Sequence, residues 1–102
     1  MADFNPSGVW GAQLIVGTQV TFNIGPVQPN GSFSGSANGV LGTGQGSGWA
    51  LGRLFVFKVD WPDQSASLYS GWLDGDRTIR GSVMGRVGAP TTSIGWGSLK
   101  QF

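Results

Sequence analysis

Gly52-Arg53-Leu54-Phe55-Val56-Phe57-Lys58-Val59-Asp60-Trp61, then Pro62-Asp63-Gln64, then Ser65-Ala66-Ser67-Leu68-Tyr69-Ser70-Gly71-Trp72 is the stretch that decides the fold. Two runs rich in β-branched and aromatic residues flank a short Pro- and Asp-bearing segment, the pattern of a β-hairpin. In the first run Leu54, Val56, Lys58 and Asp60 alternate with Phe55, Phe57, Val59 and Trp61. The first set ends in two charges, so the second is expected to face the core. In the second run Ser65, Ser67 and Tyr69 share one face, and Ala66, Leu68, Ser70 and Trp72 share the other. The latter set is the more apolar, and periodicity alone favours it as the buried face. The opposite assignment turns Ser65 and Ser67 inward and leaves Leu68 and Trp72, with Val83, outside as a subunit contact.

Outward from this hairpin, strand-like segments recur about every ten residues between Gly, Pro, Asn and Asp, the spacing of an all-β sandwich or barrel. The pattern predicts eight strands, at about 8–16, 18–25, 31–37, 38–43, 49–61, 65–73, 77–85 and 92–101. Val20, Phe22 and Ile24 alternate with Gln19, Thr21 and Asn23, as a half-buried strand does. Asn30-Gly31, Asn38-Gly39 and Asp74-Gly75 are tight-turn dipeptides. Short connections imply antiparallel neighbours, and closure removes exposed edges. The expected architecture is an eight-stranded antiparallel up-and-down β-barrel, a single domain over residues 1–102. The segment Gly42-Thr43-Gly44-Gln45-Gly46-Ser47-Gly48 reads as a flexible loop. It lacks the spacing and the following helix that would make it a phosphate cradle. Asn30-Gly31 with Gly35-Ser36 is echoed by Asp74-Gly75 with Gly81-Ser82. Glycine inside a strand is costly, so its repeated use there points to barrel corners or a close neighbour.

The chain has 102 residues, 39% of them hydrophobic, with 19 Gly, and its five Trp and six Phe must therefore form most of the core. Without Cys no disulfide constrains the fold. The net charge is +1 and no basic run is present, so nucleic acid is not an expected partner. Arg77, Arg80 and Arg86 cluster in sequence and are expected to be solvated outward charges. No apolar run reaches membrane-spanning length and the first residues lack the basic and apolar regions of a signal peptide, so a soluble chain is expected.

Catalysis is not expected. With no His and no Cys, Ser-His-Asp and Cys-His nucleophile systems and His-based metal sites are unavailable. Asp60/Asp63 and Asp74/Asp76 sit at turns, where Asp commonly serves backbone hydrogen bonding. No cofactor and no metal are expected.

Gly8-Val9-Trp10, the Phe55-to-Trp61 strand, Ser65-Ala66-Ser67-Leu68-Tyr69-Ser70-Gly71 and the late Trp96 occur in order along the chain. In this the sequence resembles the avidin and streptavidin family, most closely from Trp61 to Gly71. The resemblance implies a barrel in which tryptophans wall a ligand pocket and hydroxyls on the strand after the loop bond the ligand. It assigns ligand-binding roles to Trp61, Ser65, Ser67 and Tyr69, with Trp10 and Trp96 as further walls, and it turns Ser65 and Ser67 inward. The biotin chemistry departs from the family pattern, since Ala12, Ala37 and Gly39 stand where polar ureido partners belong. Each buried polar group left unsatisfied costs about 1–3 kcal/mol, which argues against tight biotin binding unless the site is rebuilt. The resulting expectation is a non-catalytic module for a small molecule or glycan, and a homo-oligomer. The alternative is a self-assembling barrel subunit without a small ligand.

Overall fold

The computed structural model describes residues 2–40, 42–85 and 93–102. Its eight strands are β1 (Gly8–Leu14), β2 (Gln19–Ile24), β3 (Ser32–Gly39), β4 (Gly42–Leu51), β5 (Leu54–Asp60), β6 (Ala66–Leu73), β7 (Ile79–Met84) and β8 (Ser93–Ser98). They form a closed barrel in sequence order. Every neighbouring pair is antiparallel, and β1 closes on β8 through Ala12–Ser98, Gln13–Gly97 and Leu14–Trp96. Closure leaves no edge strand, with β1 and β8 joined over those three positions.

The hairpin at the centre of the sequence forms in register, with Phe57 opposite Tyr69 and Val59 opposite Ser67. Phe55, Phe57, Val59 and Trp61 are buried, as the alternation in β5 requires. In β6 the face favoured by periodicity is the outer one. Ser65, Tyr69 and Leu73 are buried, whereas Leu68 and Trp72 are 41% and 54% exposed. The interior is already filled by rings from the other strands, so the β6 face directed at them carries small hydroxyls and one Tyr. Val83 also differs from its expected outward place, since it is buried in the core.

The larger correction concerns residues 38–51. Asn38-Gly39 belongs to β3, and residue 40 lies at the turn. The glycine-rich segment is no loop but the strand β4, paired along its length with β3 and β5. The expected strand 49–61 is in fact the end of β4 and all of β5, separated by Gly52 and Arg53. The physical reason lies inside the barrel. A Cβ on Gly44 would stand 2.6 Å from Val59 Cγ1 and 2.9 Å from a carbon of the Trp61 ring. One on Gly46 would stand 2.7 Å from the Phe57 ring, and one on Gly48 3.0 Å from the Phe33 ring. Glycine here gives space to aromatic side chains and to the β5 backbone, since the atom nearest a Cβ on Gly46 is the Lys58 carbonyl oxygen and on Gly48 the Val56 carbonyl oxygen.

The core is an aromatic column. Phe22 packs edge-on against Trp10, Phe57 and Tyr69 at 5.0, 5.2 and 4.9 Å between centroids. Trp96 packs on Phe55 and Tyr69 at 5.9 Å each. Edge-to-face pairs of this kind add about 0.5–1.5 kcal/mol each beyond the area they bury. One end of the barrel is plugged by the chain termini. Phe102 packs 4.9 Å from Trp10 and 5.9 Å from Phe4. Arg77 holds this plug: its Nε donates to the Phe102 carbonyl at 2.6 Å and its Nη2 to the Asp3 carbonyl at 3.1 Å. Arg80 is exposed and pairs with Asp76 at 2.8 Å, whereas Arg86 lies outside the described residues. The Thr78 hydroxyl and amide, with Arg80, hold the Asp76 carboxyl below the usual carboxylate range.

Candidate functional site at the Trp61 end of the barrel

Antiparallel order puts the β1–β2 turn, the β3–β4 turn, the β5–β6 turn and the β7–β8 connection at the end opposite the plug. Residues 86–92 of that last connection lie outside the described residues. Trp61, Ser65 and Ser67 belong to this end because they flank the Pro62-Asp63-Gln64 turn. The turn is built by local hydrogen bonds. The Gln64 amide donates to the Trp61 carbonyl at 3.0 Å, and the Trp61 amide to the Ser65 carbonyl at 2.8 Å. Gln64 takes the left-handed conformation, with φ of 70°. The Ser65 amide and hydroxyl both donate to Asp63 Oδ1, so the Ser65 hydroxyl is engaged in the turn itself.

Ser67 is the hinge of the site. Its hydroxyl accepts the Trp61 indole N–H at 2.8 Å and reaches the carbonyl oxygen of Gly85 at 3.3 Å. Burial pushes the Tyr69 pKa up to about 12, with the nearby Ser67 hydroxyl acting in the opposite direction. The desolvated phenolate is disfavoured, so Tyr69 is a neutral donor and acceptor across the physiological range. The Trp61 indole and the Ser67 hydroxyl thus form a hydrogen-bonded pair at this end, with Tyr69 two residues further along the same face of β6. Gly39 and Gly44 leave room for the Trp61 ring, which lies within 3.9 Å of a Cβ built on either.

The other candidate residues sit deeper. Trp96 is buried in mid-barrel, and its indole N–H lies 3.1 Å from the Ser82 carbonyl and 3.3 Å from that of Ser70. Trp10 is at the plugged end, where its indole N–H donates to the Pro6 carbonyl at 2.8 Å. The structure therefore brings Trp61, Ser65, Ser67 and Tyr69 together and leaves Trp10 apart from them. Ala12 and Ala37 are buried in the core and supply no polar group to the interior. The part played by the Gly85 carbonyl was not legible in sequence, because it depends on the strand β7 ending beside β6 at that level.

Among the described residues no group of three or more Asp side chains converges as a metal site, and His and Cys are absent from the sequence. Two depressions lie away from the Trp61 end. One, of about 740 Å³, separates the N-terminal segment from the β2–β3 connection. The other, of about 430 Å³, lies around Trp49 on the outer surface.

No protein-family model matches the sequence, and no curated protein matches it. Among solved structures the barrel is similar to one described as EF1p2_mFAP2b bound to DFHBI, with a TM-score of 0.58 and 11% identity. That alignment covers 90% of this chain and 89% of the other. At this identity the likeness concerns the fold.

Proposed function

We propose that the protein is a non-catalytic binding module that holds a small, partly polar ligand or glycan at the Trp61 end of an avidin-like barrel. The observation that carries this reading is the hydrogen-bonded Trp61–Ser67 pair at the end that the termini do not plug. An indole offers a flat apolar surface, and a hydroxyl both donates and accepts, so one pair supplies stacking and orientation. An eight-stranded barrel is either filled by its own side chains or holds one small ligand. Here the aromatic column fills the middle, so the ligand belongs at the Trp61 end, and the similar solved barrel is described with DFHBI bound. A chain without His or Cys also lacks the commonest nucleophile and general-base pairs.

The test is a titration of DFHBI and a panel of small polar aromatics and glycans, followed by tryptophan fluorescence. Binding should quench or shift the emission, and Trp61→Ala and Ser67→Ala should each weaken it at least tenfold with the far-ultraviolet spectrum of the barrel retained. Silence across the panel, or binding indifferent to both substitutions, would remove the reading.

A second reading, self-assembly, is favoured by the outer surface. Leu51, Leu54, Trp72, Leu68 and Met84 are exposed and lie on the adjacent strands β4 to β7, with Leu51 opposite Leu54, Leu54 opposite Trp72 and Leu68 opposite Met84. Leu51, Leu54 and Trp72 make one exposed apolar cluster and Leu68 with Met84 a second, set apart by Ser70, and exposed apolar surface of this kind marks an interaction face. Sedimentation velocity should show a species larger than one chain that Trp72→Lys converts to monomer. A monomer at high concentration excludes this assembly.

A further inference from the structure

We infer that the outer surface of β3 and β4 carries a saccharide-binding site, centred on Trp49 and separate from the Trp61 end. Trp49 is 54% exposed, although tryptophan normally buries most of its large apolar area. It lines the depression of about 430 Å³ that also includes Pro26, Gln28, Ser32, Ser34 and Ser47. Sites for small ligands fall in the range of about 300–1,000 Å³.

The lattice of the sheet explains why these groups converge. Ser32 is the register partner of Trp49, and Ser34 is the partner of Ser47. All four side chains therefore leave the same face of two adjacent strands, with the indole at one corner and hydroxyls at the others. Gln28 adds a carboxamide from the connection before β3, and Asn30 accepts hydrogen bonds from both the amide and the hydroxyl of Ser32. Ser34, Ser47 and Gln28 make no side-chain hydrogen bond among the described residues, so their donors and acceptors are available.

The chemistry selects the ligand class. No Asp, Lys or Arg lines the depression itself; Lys58, the cross-strand partner of Ser47, stands beside it on the next strand, and no second charge joins it among the lining residues. One ring is exposed rather than a facing pair, so a flat aromatic would be stacked on one side only. Hydroxyls and a carboxamide each combine donor and acceptor, which matches the vicinal hydroxyls of a sugar ring. The apolar C–H face of a pyranose fits against the indole while its edge hydroxyls reach Ser34, Ser47 and Gln28. The occupant is a neutral saccharide.

The experiment uses the full chain, uniformly labelled with nitrogen-15. The sequence holds five Trp, so five indole N–H resonances report, and Trp49→Phe identifies the one from Trp49. Maltotetraose, cellotetraose and N,N′,N″,N‴-tetraacetylchitotetraose are titrated to millimolar concentration. At least one should shift the Trp49 resonance saturably and leave that of Trp61 in place. Trp49→Ala should abolish binding, Trp49→Phe should retain a weaker form, and Ser34→Ala with Ser47→Ala should weaken it about fivefold per lost hydrogen bond. Trp61→Phe should leave it unchanged, which separates this site from the one proposed above. No shift with any of the three sugars overturns the inference, as does a shift that survives Trp49→Ala. A sedimentation change on Trp49→Ala without any saccharide effect also overturns it, by making Trp49 an interface between copies.

Discussion

The indole N–H of Trp61 donates to the hydroxyl of Ser67 at 2.8 Å, tying the residue that follows β5 to the second residue of β6 across the turn between them. Without a ligand this bond satisfies a buried indole donor. The Ser67 hydroxyl is also the group that a ligand at this end would engage. Ser67→Ala should therefore destabilise the barrel by about 1–2 kcal/mol, since it strands the indole N–H. For a chain of this length, each 1 kcal/mol corresponds to about 4–8 °C in the melting midpoint. Ser67→Thr keeps the hydroxyl and should recover most of the loss. Equal losses for Ala and Thr would show that the cost is one of packing and not of hydrogen bonding.

Tyr69 is the sole tyrosine of the chain, so the phenolate absorbance near the ultraviolet edge titrates one residue. Its pKa stands at about 12 in the folded state because burial disfavours the phenolate, against about 10 for a solvated tyrosine. A raised pKa means the folded state keeps a proton that the unfolded state releases. Its stability contribution is complete below pH of about 10 and is lost as pH rises from there towards the folded value. The full difference amounts to roughly 2–3 kcal/mol. Alkaline titration should show phenolate appearing late and together with unfolding. A reversible midpoint near that of free tyrosine, with the fold intact, would contradict this burial.

The glycine-rich strand makes a sharper prediction through the contrast between Gly46 in β4 and Gly75 in the turn after β6. A Cβ on Gly46 would stand 2.3 Å from the Lys58 carbonyl oxygen and 2.7 Å from the Phe57 ring, whereas one on Gly75 meets nothing within 4 Å. Neither position has the left-handed backbone that would itself penalise a side chain. Gly46→Ala should cost about 1–3 kcal/mol through forced backbone and ring displacement. Gly75→Ala should stay within about 0.5 kcal/mol of the parent. Urea midpoints for the two variants measure the difference directly, and similar midpoints would mean that β4 can move away from β5 without cost.

That strand also shows where sequence reading stops. The alternation of Phe55, Phe57, Val59 and Trp61 was decisive, because large side chains on one face of a strand have nowhere else to go. The closed eight-stranded order followed from the number of strands and their short connections. Gly42 to Gly48 reads as a loop in sequence, and forms β4 instead, because glycine in sequence reports only conformational freedom. Here its cause is steric, and the groups that require it are rings from β3, β5 and the segment after β5 together with backbone carbonyls of β5. Asn38-Gly39 was equally persuasive as a turn, yet the ladder continues through it to a Gly39–Gly42 pair. In β6, apolar content pointed to Leu68 and Trp72 as the core face. Which face of that strand was inside depended on how much space Phe22, Phe57 and Trp96 already filled. The hydroxyl face was identified by its resemblance to a ligand-holding wall, and not by periodicity.

The plugged end offers a last test, through a residue whose backbone and side chain pull in opposite directions. Arg77 occupies the left-handed region with φ of 67°, which a residue other than glycine adopts at a cost of about 1–2 kcal/mol. It remains there because its guanidinium bonds the carbonyls of Phe102 and Asp3, while its own carbonyl accepts the Phe102 amide at 2.7 Å. Arg77→Ala keeps the backbone strain and loses the side-chain bonds, and should destabilise by about 1–2 kcal/mol. Arg77→Gly loses the same bonds but relieves the strain, so it should be more stable than the Ala variant by about 1 kcal/mol. In both variants the Phe102 amide should exchange with solvent faster than in the parent, because the plug is held at fewer points. Identical stabilities for Ala and Gly would show that the strain at residue 77 is not a real energetic term. Unchanged exchange at Phe102 would show that the ring contacts to Trp10 and Phe4 hold the plug without Arg77.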